Sequence, residues 1–195
     1  MAEQTIHLLA GLGNPGKTYL STRHNAGFMV IDHIASSCSM EISRTKFNAN
    51  YGTGIIAGKK VILVKPMAFM NRSGYPVFSL AKYFKIETKH ILIVHDDMDI
   101  DIGKLKIKKK GGDGGHKGLR SLISSFGSKD FCRLRFGIGR AEPHHDAAGY
   151  VLGKFSPKEK PIVEKAVARS KEVIISILSA GVDAAMNSFN GRNDF

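Results

Sequence analysis

His90-Ile-Leu-Ile-Val-His95 runs straight into Asp96-Asp-Met-Asp99. An apolar run of this length, closed by a cluster of acids, reads as a buried strand whose carboxyl end presents carboxylates. Asp96 is the first of these acids that could turn into a crevice at the sheet edge. Ile6-His-Leu-Leu-Ala-Gly-Leu12 reads the same way, as a buried strand ending in glycines. Outward from these two strands, residues 26–35 carry a helical apolar face of Phe28, Met29, Ile31, Ile34 and Ala35. Residues 52–65 read as a hairpin whose arms, 54–57 and 61–64, flank Gly58-Lys-Lys60. A helix is expected over 73–84 with Val77, Leu80, Ala81 and Phe84 inward, and another over 118–126. A more exposed strand is expected over 105–109 and an alternating one over 132–138. Residues 157–187 have the spacing of one long amphipathic helix or two. Strands and helices alternate without an internal repeat or linker. The expected fold is therefore α/β: a single domain over 1–195 with a mixed, twisted central β-sheet flanked by helices.

At 195 residues, 43% hydrophobic and 24% charged, the chain has the balance of a globular domain with a sizeable core. Intrinsic disorder, collagen-like repeats and a disulfide-stapled miniprotein are excluded. Cys38 and Cys132 form no CxxC pair, which fits a reducing compartment and argues against a zinc ribbon. No apolar run approaches a membrane span, and Glu3 stands where a signal peptide carries positive charge. A cytoplasmic protein is expected, so the sequon Asn71-Arg-Ser73 is a chance match.

The net charge is +12, and residues 102–140 hold eleven basic side chains against two acids, +9 of that total. Such an excess calls for an anionic partner, nucleic acid before acidic membrane. Gly111-Gly-Asp-Gly-Gly115 lies inside the segment, and glycines let backbone N–H groups approach a phosphate. With only Phe126, Phe131 and Phe136 interleaved, the pattern favours gripping a backbone over stacking bases.

Gly11-Leu-Gly-Asn-Pro-Gly16 matches GxGxxG literally. A dinucleotide fingerprint, however, needs a helix opening on the glycines and an acid ending the next strand. Pro15 and a polar stretch follow instead, so the glycines are expected to turn and present Asn14 at the strand's end. His24, in Thr22-Arg-His-Asn-Ala-Gly27, reads alone as a surface or capping histidine. Asp96, Asp97, Asp99 and Asp101 are equally a solvated turn or oxygen ligands for a divalent cation. Paired with a carboxylate, a histidine makes the simplest general base. His116 offers a second imidazole inside the glycine loop. Asn71, in Phe69-Met-Asn-Arg-Ser-Gly74, either caps the following helix or orients a substrate. His144-His145 is read as a polar loop without chemistry.

Taken together, Gly11–Gly16, 22–27, 69–74, His95-Asp-Asp-Met-Asp99 and Gly112-Asp-Gly-Gly-His116, with Arg133-Leu-Arg-Phe-Gly-Ile-Gly139 and Tyr150-Val-Leu-Gly153 after them, closely resemble bacterial-type peptidyl-tRNA hydrolase over essentially the whole chain. The resemblance implies a monomeric α/β enzyme needing no metal or organic cofactor. It would hydrolyse the ester between a peptide and the 3′ end of tRNA, recycling tRNA from prematurely released chains. By motif, His24 would be the base and Asp96 its holder. Asn71 would orient the water or the substrate carbonyl, and Asn14 would contact the peptide backbone, separating blocked from free aminoacyl-tRNA. Tyr19, Phe69, Met70 and His116 would line the crevice for the peptide and the terminal adenosine at the CCA end. Lys108 and Arg135 would clamp the 5′ phosphate of the acceptor stem. One position departs from the family: after His116, where Asn is common, this chain has Lys117, a cation that only donates. The alternatives are a non-catalytic RNA-binding module on the same fold, and a divalent-metal hydrolase built on the 96–101 acids with His24 or His116.

Overall fold

The computed structural model describes residues 5–140 and 146–191. Alternation along its central strands sorts side chains to two faces of one sheet. In β1 (Ile6–Gly11), Leu8 and Ala10 point to one apolar layer and Leu9 to the other. β4 (Lys59–Pro66) and β5 (Ile91–Asp97) divide likewise: Ile62, Val64, Ile91 and Ile93 against Val61, Leu63, Leu92 and Val94. Both faces are thus apolar, and each is covered by helices. α2 (Gly74–Tyr83) and α3 (Lys117–Phe126) lie on the first face, contributing Val77, Leu80, Leu119 and Leu122. α1 (Ala26–Ser37), α5 (Lys160–Ala180) and α6 (Val182–Phe189) cover the second with Val30, Ile34, Val173, Ile174 and Ala185. α4 (Ala147–Leu152) is a short helix before them.

Among the described residues the sheet has seven strands, in the order β2-β3-β4-β1-β5-β7-β6. β4, β1, β5 and β7 (Cys132–Gly137) are mutually parallel. β2 (Arg44–Lys46), β3 (Ala49–Ile56) and β6 (Leu105–Lys108) add antiparallel edges. The mixed sheet flanked by helices is as expected, and the tail resolves into two helices broken at Gly181. β2, exposed and only three residues long, has no signal in the sequence reading. Because four central strands run the same way, their carboxyl ends open loops along one edge, where α/β sheets bind ligands.

Candidate active site

β1 leaves the sheet in two steps. The Leu12 N–H still bonds to the Val94 carbonyl at 2.9 Å, extending the β1–β5 ladder. Two residues on, the Asn14 N–H turns instead to Asn25 Oδ1 at 2.8 Å, and Asn25 Nδ2 donates back to the Asn14 carbonyl at 3.0 Å. Asn14 Oδ1 accepts from the Met70 N–H at 2.7 Å, which leaves its Nδ2 group as the donor in the cleft. The expected turn is there, and no helix opens on the glycines; α1 begins only at Ala26. The glycines serve close packing, since a Cβ on Gly11 would strike the Gly27 carbonyl and one on Gly27 the backbone of Leu12 and Val94. That contact draws α1, and His24 just before it, down onto β1 and β5.

His24 lies in a helical turn spanning Arg23–Asn25. Arg23 anchors the turn from outside. Its N–H bonds to the Gly153 carbonyl, and its guanidinium donates to the Lys154 carbonyl at 2.7 Å and to Glu159 at 2.9 Å while lying 4.4 Å from the Tyr150 ring centre. His24 Nδ1 stands 2.9 Å from both Asp96 oxygens. An ionised carboxylate only accepts, so Nδ1 carries the hydrogen and Nε2 keeps its lone pair. His116 reaches the same carboxylate from the other side, its Nε2 3.0 Å from Asp96 Oδ1. The His116 tautomer is fixed as well. Nδ1 caps α3, accepting from the N–H groups of Gly118 and Leu119, so the hydrogen sits on Nε2.

Asp96 is 2% exposed. Burial alone would raise its carboxyl, but the imidazoles of His116 and then His24 outweigh burial and hold it far below the usual carboxylate range. A third imidazole, His95, is buried against them, its ring centre 5.0 Å from that of His116. Burial, reinforced by His116, pushes it down to about 3. His24, Asp96 and His116 also place one ligand atom each within 4.8 Å of the others, a donor set suited by type to a divalent cation. Here the carboxylate already bonds both imidazole N–H groups.

A cleft of about 850 Å³ opens on this cluster. All ten residues singled out from sequence line it: Asn14, Tyr19, His24, Phe69, Met70, Asn71, Asp96, Lys108, His116 and Arg135. Met70 is buried and Phe69 57% exposed, an apolar lip over the polar floor. Asn71 caps nothing: Ser73 stands at the N-cap of α2, without a side-chain bond, and the Asn71 amide is left exposed in the cleft. The acids after Asp96 resolve into an ion-paired turn, with Asp97 on Arg135, Asp99 on Arg140 and Asp101 on Lys104. Asp97 takes the Arg135 Nε at 2.7 Å, so the terminal nitrogens of that guanidinium stay free for a second anion.

Lys108, Arg133 and Arg135 share one face of the β6–β7 pair, opposite the apolar Ile107 and Leu134. Sequence reasoning gave Arg133 no task. It is 2% exposed and donates to the carbonyls of Gly111 and Gly112, fixing the glycine loop. Lys117 lines the cleft beside Asp146. Asn25 and His95 were also given no role. His144 and His145 fall outside the described residues, and both cysteines are free, the Cys132 thiol pushed up to about 12 by burial.

Residues 8–194 match the family model described as peptidyl-tRNA hydrolase. A peptidyl-tRNA hydrolase of Caldanaerobacter subterraneus subsp. tengcongensis is 45% identical over 186 residues, 95% of this chain and 100% of that protein. One from Clostridium botulinum strain Hall is 47% identical over 95% of this chain and 97% of its own length. The crystal structure of the Acinetobacter baumannii peptidyl-tRNA hydrolase superposes with a TM-score of 0.90 at 37% identity, covering 98% of each chain.

Proposed function

The chain belongs to the peptidyl-tRNA hydrolase family and hydrolyses peptidyl-tRNA, and on that premise we propose how its residues divide the work. His24 Nε2 takes a proton from the attacking water. Asp96 holds the Nδ1–H and stabilises the imidazolium that forms. His116 fixes the carboxylate from its far side. Asn71 orients the water or the ester carbonyl, and Asn14, with its oxygen committed to the Met70 N–H, donates through Nδ2 to a peptide carbonyl. A free aminoacyl group lacks that carbonyl, and the positively charged amine in its place is a donor that Nδ2 repels. Tyr19, Phe69 and Met70 receive the peptide and the terminal adenosine of the CCA end, while Lys108 and Arg135 take the 5′ phosphate of the acceptor stem. Lys117 adds a cation to the same path.

The observation that carries this reading is the single carboxylate gripping two imidazoles of fixed tautomer at the floor of the cleft. An ester needs little more: one positioned base is worth roughly 10²–10⁴ in rate. We take the enzyme to act as a single-domain monomer in the cytoplasm, without a metal. Among the described residues no helix is long and apolar enough to cross a membrane.

The test is release of labelled peptide from N-blocked aminoacyl-tRNA in excess EDTA, with unblocked aminoacyl-tRNA as control. Cleavage of the blocked substrate alone supports both the base and the role of Asn14. Activity lost to EDTA and restored by a divalent cation would turn His24, Asp96 and His116 into metal ligands.

A further inference from the structure

The departure of β1 leaves a gap that one unassigned side chain fills. In the parallel ladder, Val94 O faces β1 and receives the Leu12 N–H. Asp97 O faces the other way and receives the Ile138 N–H beyond β7. The carbonyl of Asp96 therefore points to the β1 side, where the next donor in register is the Asn14 N–H. That N–H has gone to Asn25. The main-chain carbonyl of the residue that holds the base is thus left open inside the protein, and a buried carbonyl without a donor is destabilising. His95 closes it: its Nδ1 lies 2.7 Å from Asp96 O. A carbonyl only accepts, so the hydrogen is on Nδ1 and Nε2 carries the lone pair.

His95 Nε2 is buried without a hydrogen-bond partner among the described residues. An imidazole kept for packing alone would not leave a nitrogen orphaned in the interior; an apolar side chain would fill the space without one. Its ring lies edge-on to His116, the second imidazole on Asp96. His95 thus touches the Asp96 main chain with one nitrogen and flanks the Asp96–His116 bond with its ring.

We propose that His95 is a positioning residue for hydrolysis: by replacing the missing strand at Asp96 O, it sets the backbone from which the Asp96 carboxylate reaches both His24 and His116. This rests on the assignment of Asp96 and His24 above. The requirement is for a donor at the Nδ1 position, not for a histidine. Asparagine places its Nδ2 close to where Nδ1 stands. Glutamine carries its amide out toward the Nε2 position, and leucine has no donor.

The test compares His95→Asn, His95→Gln and His95→Leu in the full chain, with N-blocked aminoacyl-tRNA as substrate and Asp96→Asn as reference. Gln and Leu should lower kcat at least tenfold with KM within twofold of the parent, and Asn should recover kcat to within a few-fold. Melting temperatures taken alongside should not follow this order, because Leu also removes the orphaned nitrogen. A kcat for Gln and Leu within twofold of the parent, with Asp96→Asn inactive, overturns the role of His95 alone. An Asn variant as slow as Leu, or rates that follow melting temperature, overturns it as well. An active Asp96→Asn would overturn the assignment of the base itself.

Discussion

Two regions of one cleft handle charge in opposite ways. At the ends of β1 and β5, Asp96, His24, His95 and His116 are buried or nearly so, and hydrogen bonds within the protein fix the tautomer of each imidazole. On the β6–β7 pair, Lys108 is exposed and Arg135 half-buried, with the Asp97 carboxylate paired to Arg135. In the first region the charged groups are shielded from bulk solvent, so geometry decides the chemistry and salt has little access. In the second, charges face solvent, so affinity depends on displaced counterions. A mutation in either region should therefore fail in its own way.

The largest effect is expected at His24. His24→Ala should lower kcat by about 10²–10⁴-fold while tRNA affinity, measured by filter binding, stays within a few-fold. Equal loss of affinity and rate would mean that the imidazole grips RNA rather than water, and the contrast between the regions would collapse. Lys108→Ala and Arg135→Ala should do the reverse. Each should raise KM several-fold at nearly constant kcat and reduce the salt slope of log KM by about one. Slopes unchanged in both variants would move the acceptor stem off β6–β7.

The smallest effect concerns stability. His95 is held down to about 3 when folded, mainly by burial, against an ordinary 6.5 in the unfolded chain. Between those values the unfolded chain binds a proton that the folded one does not. Stability must then fall as pH drops through this window, with a slope of up to ~1.4 kcal/mol per unit. Asp96 is also held low, so the stability it contributes is lost only as pH falls below about 4. His7 and His90, partly buried and lowered in the same direction, add smaller slopes. Urea midpoints of the parent between pH 6.5 and 4 should decline more steeply than those of His95→Asn. Parallel curves would show that His95 is not held neutral in the fold.

The contrast also explains what could be read from sequence. Apolar periodicity is a local signal, so β1, the 49–66 hairpin, α1, α2 and the tail helices were legible within a few residues. The ten cleft residues were legible because their motifs occur together and in order; no spacing rule would have joined His24 to Asp96 across 72 positions. His95 reads as the last residue of a buried strand, and the strand runs on through it to Asp97. Its second task depends on where β1 breaks, and that depends on Asn25 capturing the Asn14 N–H. Asn71 is a residue type that favours caps, yet the 3-10 turn at Met70–Arg72 sets Ser73 at the cap and frees the amide. Arg133 sat in a run of charges, where nothing local marks one arginine for burial beneath two glycine carbonyls.

The anchoring of Arg23 has a consequence during synthesis. While the ribosome is making this protein, the growing chain is itself a peptide esterified to tRNA, the bond the finished enzyme cuts. The residue beside the base is tied to Gly153, Lys154 and Glu159, more than 120 positions downstream. A nascent chain that has not yet reached those residues lacks the outer anchor of the turn that carries His24, and a chain stopped at residue 152 should release little or no peptide. Activity thus arrives late, when most of the protein already exists.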